Sequence, residues 1–179
     1  MSMTVAESYY GTNGVLCLRQ EGLAACRCEY DARGNLIVKR CYGIDGRLCL
    51  CLQGWAESRM EYDACGNMTA CRSYGTDGKL CLLTDGNAGW IAEHDARGQE
   101  IRRTWIGVSG RPTLSKDGYA ECRTEYDARG NPTVRRFYGT DGELVLKEGL
   151  YAVFRLEYDD HNEVVGQTFF DERMEPIRI

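Results

Sequence analysis

Glu29-Tyr30-Asp31-Ala32-Arg33-Gly34-Asn35 returns intact as Glu125-Tyr126-Asp127-Ala128-Arg129-Gly130-Asn131. Glu61 to Asn67 repeats it with one change, Glu93 to Gln99 with two, and Glu157 to Glu163 keeps only its outline. Each copy starts 32 residues after the one before. A fixed period of that length marks a repeat architecture, in which each copy buries its apolar face against its neighbours.

Outward from this stretch, each copy begins at an aromatic residue before a glycine. Full repeats cover 10–41, 42–73, 74–105, 106–137 and 138–169, with Ile106 in the aromatic place of the fourth. Residues 1–9 read as an entry segment, 170–179 as a C-terminal cap, and 1–179 as a single repeat domain. Glycine holds repeat positions 2, 5, 13 and 25, which take eighteen of the 21 glycines. A glycine held this way marks a backbone angle that other residues adopt at a cost.

Those glycines close three turns per repeat, as in Gly75-Thr76-Asp77-Gly78, Lys116-Asp117-Gly118 and Asp127-Ala128-Arg129-Gly130. Asp opening and Gly closing fits a type I turn followed by a left-handed glycine. Between turns lie short β-rich runs, namely Leu48-Cys49-Leu50, Tyr119 to Tyr126 and Pro132 to Tyr138. None has helical period. The expected fold is all-β, three strands per repeat, with tandem hairpins forming an extended twisted sheet or solenoid. A closed five-bladed ring is the alternative. Pro112 and Pro176 share repeat position 7, so the amide there is expected not to donate to the sheet.

Along the longest strand, Cys122, Thr124 and Tyr126 alternate with Arg123 and Glu125, giving one apolar and one charged face. Glutamate recurs at Glu29, Glu61, Glu93, Glu125 and Glu157, with arginine two residues earlier at Arg27, Arg59, Arg123 and Arg155. Five equivalent copies point to an exposed ladder of Arg–Glu pairs, each worth up to about 1 kcal/mol, rather than to a catalytic acid. Asp31, Asp63, Asp95, Asp127 and Asp159 are expected to cap their own turns. One carboxylate per turn is far from the six to eight oxygens that calcium takes.

Ten cysteines fall in columns. Cys17, Cys49 and Cys81 share a position with Thr113 and Val145; Cys26 and Cys122 share one with Trp90 and Phe154. Such exchange is what core positions tolerate. Cys26-x-Cys28 and Cys49-x-Cys51 put pairs of thiols on one strand face and are the candidate metal ligands. The short ligand spacing of zinc sites is absent, and only His94 and His161 are at hand to assist. The expectation is no metal, no cofactor and reduced thiols. No nucleophile elbow or phosphate loop appears, so the chain reads as non-enzymatic. Position 14 carries Leu23, Trp55, Asn87, Tyr119 and Tyr151. Trp55, Tyr119 and Tyr151 are candidate binding residues for a sugar or peptide, or fill the groove between repeats.

A net charge of −5 with 22 scattered basic residues argues against a nucleic-acid face or a membrane-binding basic patch. No apolar run approaches the roughly 20 residues a bilayer needs. The first residues lack a signal-peptide pattern, so the expected location is cytoplasmic, with export by an unmarked route left open.

The Tyr-Asp-x-x-Gly core at 30–34, 62–66 and 126–130 resembles the YD repeat of the Rhs and teneurin families. The fuller 32-residue pattern is similar to uncharacterised bacterial tandem repeats. The resemblance implies a spiralling β-sheet array that serves as a shell or surface structure, without an enzymatic residue. The function expected is a repeat scaffold for protein–protein interaction or self-association. A carbohydrate- or peptide-binding module is the alternative, and a thiol or metal protein stands third.

Overall fold

The computed structural model describes residues 3–19 and 22–179. Among these residues the chain is all-β and antiparallel. The strands are β1 (Met3–Ser8), β2 (Ala25–Tyr30), β3 (Leu36–Tyr42), β4 (Glu57–Tyr62), β5 (Met68–Tyr74), β6 (Gly89–His94), β7 (Glu100–Ile106), β8 (Glu121–Tyr126), β9 (Pro132–Tyr138), β10 (Val153–Tyr158), β11 (Val164–Phe170) and β12 (Pro176–Ile177). They form one open sheet in chain order, so the closed ring is ruled out. No helix long and apolar enough to cross a membrane occurs among the described residues.

Each repeat contributes two full strands, not three. The Leu-Cys-Leu run reduces to a single bridge, Tyr10↔Leu16, Tyr42↔Leu48, Tyr74↔Leu80, Ile106↔Pro112 or Tyr138↔Leu144. The reason is geometric. Two glycine turns flank the run within a few residues, so the ladder has room for one contact. Around that bridge, Gly11 N donates to Val15 O and Cys17 N to Tyr9 O, both at 2.9 Å. These bonds pass over the position-7 amide, which is why Pro112 fits there, with Thr113 N donating to Trp105 O at 3.0 Å.

The founding stretch builds the hairpin as expected. Asp31 N donates to Asn35 O at 2.9 Å and Gly34 N to Asp31 O at 3.1 Å, with Gly34 at φ 88°. The register slips by one between Glu29 and Tyr30, the bulge that accompanies such a loop. Position 2 obeys a different rule. Gly43, Gly75 and Gly139 are not left-handed; a Cβ there would lie 2.8–3.1 Å from the Asp oxygen at position 4, which accepts the amide two residues on. In the fifth repeat the glycine of the second turn stands one place early. Glu148 (φ 53°) and Gly149 (φ 73°) are both left-handed there, the requirement of a type I′ turn.

Two compact bodies result: Met1–Trp90 with Gly107–Gly110, and Ile91–Ile106 with Arg111–Ile179. The core of the first gathers Leu23, Cys26, Cys41 and Cys51, with Tyr9, Cys28, Cys49 and Trp55 packed against it. The core of the second gathers Val134, Ala152 and Val153, with Leu144, Leu146 and Phe170.

Candidate interaction surface

Within each body, hairpins of successive repeats pair over three residues. In the first body Val38, Lys39 and Arg40 face Arg59, Ser58 and Glu57; in the second Arg102, Arg103 and Thr104 face Arg123, Cys122 and Glu121. Beyond those residues the hairpins are tied side to side by other groups. The Tyr62 hydroxyl donates to Leu36 O at 3.0 Å, Tyr126 to Glu100 O at 2.9 Å and Tyr158 to Pro132 O at 3.0 Å. The Tyr of the founding stretch is therefore a latch on the preceding repeat. Its Arg reaches forward: Arg33 donates to Ala64 O and Arg97 to Ala128 O at 2.8 Å. The second turns also stack, Thr84 N donating to Gln53 O at 3.3 Å and Glu148 N to Asp117 O at 2.7 Å.

The charged face differs from the expected ladder. The recurring glutamates pair across their own hairpins, Glu29 with Arg40, Glu61 with Arg72, Glu125 with Arg136 and Glu93 with Arg102. The arginine two residues before the glutamate instead lies over the aromatic that starts the next repeat: Arg59 over Tyr74 at 4.2 Å, Arg123 over Tyr138 at 4.3 Å, Arg155 over Phe170 at 5.4 Å. These partners are diagonal across the hairpin: Arg40 directly faces Arg27 and Glu29 faces Val38, while Tyr74 directly faces Glu57 and Arg59 faces Arg72. Where the arginine is replaced by Ile91, the aromatic is replaced too, by Ile106.

A second acid occupies only alternate repeats, so it forms no column in the sequence. Glu57 and Glu121 are 8% and 7% exposed. Glu57 takes Arg40 and Arg59; Glu121 takes Arg102 at 2.7 Å, Arg123 at 2.6 Å and the Thr104 hydroxyl at 3.1 Å. Burial pushes both carboxyls up, but the hydrogen bonds from the arginines more than reverse it and hold them below the usual glutamate range. These acids are structural staples between hairpins.

The candidate binding residues have different surroundings. Tyr119 and Tyr151 belong to a run of rings: Tyr119 lies 4.8 Å from Phe137, Phe137 5.8 Å from Tyr151, and Tyr151 5.0 Å from Phe169. Trp55 is half-buried. Its indole N–H donates to Gln53 Oε1 at 3.0 Å, and it helps Leu23, Lys39, Cys51 and Leu52 to line a pocket of about 300 Å³. The candidate ligands Cys26, Cys28, Cys49 and Cys51 all enter the first core. Burial pushes the Cys28 and Cys49 thiols up. Among the described residues no group of three or more His, Cys, Asp or Glu is arranged to hold a metal ion.

The surface feature that was overlooked is aliphatic. Position 9 is leucine in every repeat, at Leu18, Leu50, Leu82, Leu114 and Leu146. Four of these, Leu18, Leu50, Leu82 and Leu114, stand 49–56% exposed. In the first body Ile44 and Leu52 are exposed as well. The signal was present in the columns, but reading Leu-Cys-Leu as a strand assigned both leucines to structure.

No family model matches the chain, and no curated protein matches it. Among solved structures it is similar to a crystal structure of TcdB2-TccC3, at TM-score 0.34 and 15% identity, over 81% of this chain and 7% of that one. It is likewise similar to a crystal structure of TcdB2-TccC3-Cdc42, at TM-score 0.33 and 15% identity, over 81% and 7%. The chain thus spans about 7% of the length of these solved chains, and likeness at that level places it in no family.

Proposed function

We propose that the chain is a non-enzymatic repeat scaffold, acting in the cytoplasm through protein–protein contacts or self-association. The observation that carries this reading is the leucine column: a side chain repeated five times and left about half exposed in four copies. Leu18, Leu50 and Leu82 fall in the first body with Ile44 and Leu52 also exposed, and exposed apolar surface of that kind marks interaction sites. In the second body Asp95, Glu125 and Asp127 line a polar groove, and these carboxylates are already engaged, which supports a non-catalytic role. Asp95 and Asp127 each accept two amides of their own turns, and Glu125 takes Arg136.

Mass photometry across a concentration series tests the reading. The wild type is expected to show species larger than one chain, and the combined Leu18→Ser, Leu50→Ser and Leu82→Ser variant to lose them while keeping its unfolding midpoint. A wild-type monomer at every concentration, with no protein captured in native pull-down, sinks the proposal.

The Trp55 pocket favours a second reading, a peptide- or carbohydrate-binding module. It sits at the low end of ligand-pocket volumes and joins apolar walls to one cation. Glycan- or peptide-array signal that Trp55→Ala removes would support it.

A further inference from the structure

Cys26 on β2 and Cys41 on β3 are direct cross-strand partners. Both are in the first core, Cys26 6% and Cys41 0% exposed. The same two register positions hold Ser58 and Ser73 one repeat later, and Phe154 and Phe169 in the last repeat. Those two phenyl rings stack with centroids 5.0 Å apart, so side chains at this pair of positions meet. Directly opposed residues of an antiparallel pair have Cα atoms about 4.5–5.5 Å apart. That lies inside the window of about 4.4–6.8 Å that a disulfide spans. By register Cys28 faces Lys39, Cys71 faces Met60 and Cys122 faces Phe137, while the Cys28 thiol lies beside that of Cys26 and the Cys51 thiol beside that of Cys41.

The two thiols are not equivalent. The Cys26 thiol donates to Glu7 Oε2 at 3.8 Å and contacts the Tyr9 hydroxyl at 3.8 Å. Glu7 belongs to β1, every residue of which is exposed. Cys26 therefore has within reach a carboxylate carried on an exposed strand. Cys41 is fully enclosed, and burial pushes its thiol to about 12.

We propose that Cys26 and Cys41 form an oxidative modification site, closing to a disulfide across the β2–β3 hairpin on reaction with hydrogen peroxide. Cys26 attacks first. Its proton passes to Glu7, its sulfur bonds one peroxide oxygen, and the O–O bond breaks. The departing hydroxide takes the proton from Glu7 and leaves as water, and Cys26 becomes a sulfenic acid. The Cys41 sulfur then attacks that sulfur. The S–S bond forms, the S–O bond breaks, and the leaving hydroxide takes the Cys41 proton as a second water. Two thiols lose two electrons and one peroxide is reduced to two waters. In a reducing compartment such a bond is transient and signals oxidant rather than holding the fold.

The test uses the full reduced chain, treated with hydrogen peroxide, alkylated with N-ethylmaleimide and mapped by non-reducing peptide mass spectrometry. The expected product is a Cys26–Cys41 linked peptide two hydrogens lighter than the reduced pair, reversed by dithiothreitol. Its appearance should coincide with a higher melting temperature. Cys26→Ser and Cys41→Ser each abolish it, and Cys51→Ser retains it. Serine at both positions is what the next repeat already carries, so these variants are compatible with the hairpin. If a serine variant fails to fold, the wild-type linkage map alone decides. Recovery of both residues alkylated or over-oxidised, or linked to Cys28, Cys51 or another chain, overturns the assignment.

Discussion

The first and second bodies use one backbone plan and two core chemistries. At the register pair that holds Cys26 and Cys41 in the first, the second holds Cys122 with Phe137 and Phe154 with Phe169. Thiols, then the hydroxyls of Ser58 and Ser73, give way to rings along the chain while turns, latches and staples recur. The backbone plan is therefore specified by glycines, aspartates and the Tyr latch, and the core pair is free to vary in volume. That freedom should have an energetic consequence. Aromatic side chains bury about 150–250 Å² each and add ring–ring terms, whereas a cysteine acts as a small hydrophobe.

The largest expected effect tests that asymmetry. Phe137→Ala removes a ring that is buried and meets Tyr119 and Tyr151. It should cost about 3–5 kcal/mol, the range for a deleted core aromatic. Cys41→Ala, at the equivalent place in the first body, removes one sulfur and should cost about 1 kcal/mol, near the centre of the distribution for single substitutions. Urea titrations of both variants, followed by circular dichroism, compare them directly. Equal shifts would show that the thiol core contributes as much as the aromatic one.

The staples should behave alike in both bodies. Glu57 and Glu121 have folded pKa values depressed by their arginines. A carboxyl lowered on folding binds its proton less readily in the native state. Its contribution is therefore complete above the unfolded value, about 4.3, and is lost as pH falls through the folded value. Asp31 and Asp63, lowered by the side chains of Asn35 and Asn67 and then by their turn amides, and Asp127, lowered first by the Asn131 backbone amide, act in the same direction. Stability should thus fall below about pH 4. Glu57→Gln and Glu121→Gln should each cost about 2 kcal/mol at neutral pH and flatten part of the acid limb. Thermal melts from pH 7 to pH 3 check this; an unchanged acid limb in both variants would assign acid loss elsewhere.

Much of this plan was legible in the sequence because turns are local. Asp31 caps Arg33 and Asn35 within five residues, and Gly34 is left-handed, both readable from spacing alone. Proline at position 7 was readable for the same reason. What was not legible depends on neighbours in space. The pairing of Glu29 with Arg40 rather than Arg27 needs the hairpin register. The single bridge in place of a third strand needs knowledge of how tightly two glycine turns crowd one run. Glu57 and Glu121 needed a period of two repeats, which five copies display only twice. The recurrence of Leu18, Leu50, Leu82 and Leu114 was legible as a column, but not their exposure, since leucine in a short apolar run is assigned to a core by default.

The smallest effect separates plan from core most cleanly. Tyr62 in the first body and Tyr158 in the second make the same hydroxyl-to-carbonyl bond to the preceding repeat, both at 3.0 Å. The cores beside them differ, one rich in thiols and the other in aliphatic and aromatic groups. If the latch belongs to the backbone plan, Tyr62→Phe and Tyr158→Phe keep the ring and lose one hydrogen bond, so each should cost about 1 kcal/mol. The freed carbonyl of Leu36 or Pro132 then lies on a half-buried backbone, where water can replace part of the lost bond. Hydrogen exchange should show faster opening of the founding turn beside each substitution, at Asp63 to Asn67 and Asp159 to Glu163, with the other body unchanged. A cost confined to one of the two variants would mean that core chemistry, and not the repeated turn geometry, sets the strength of the latch.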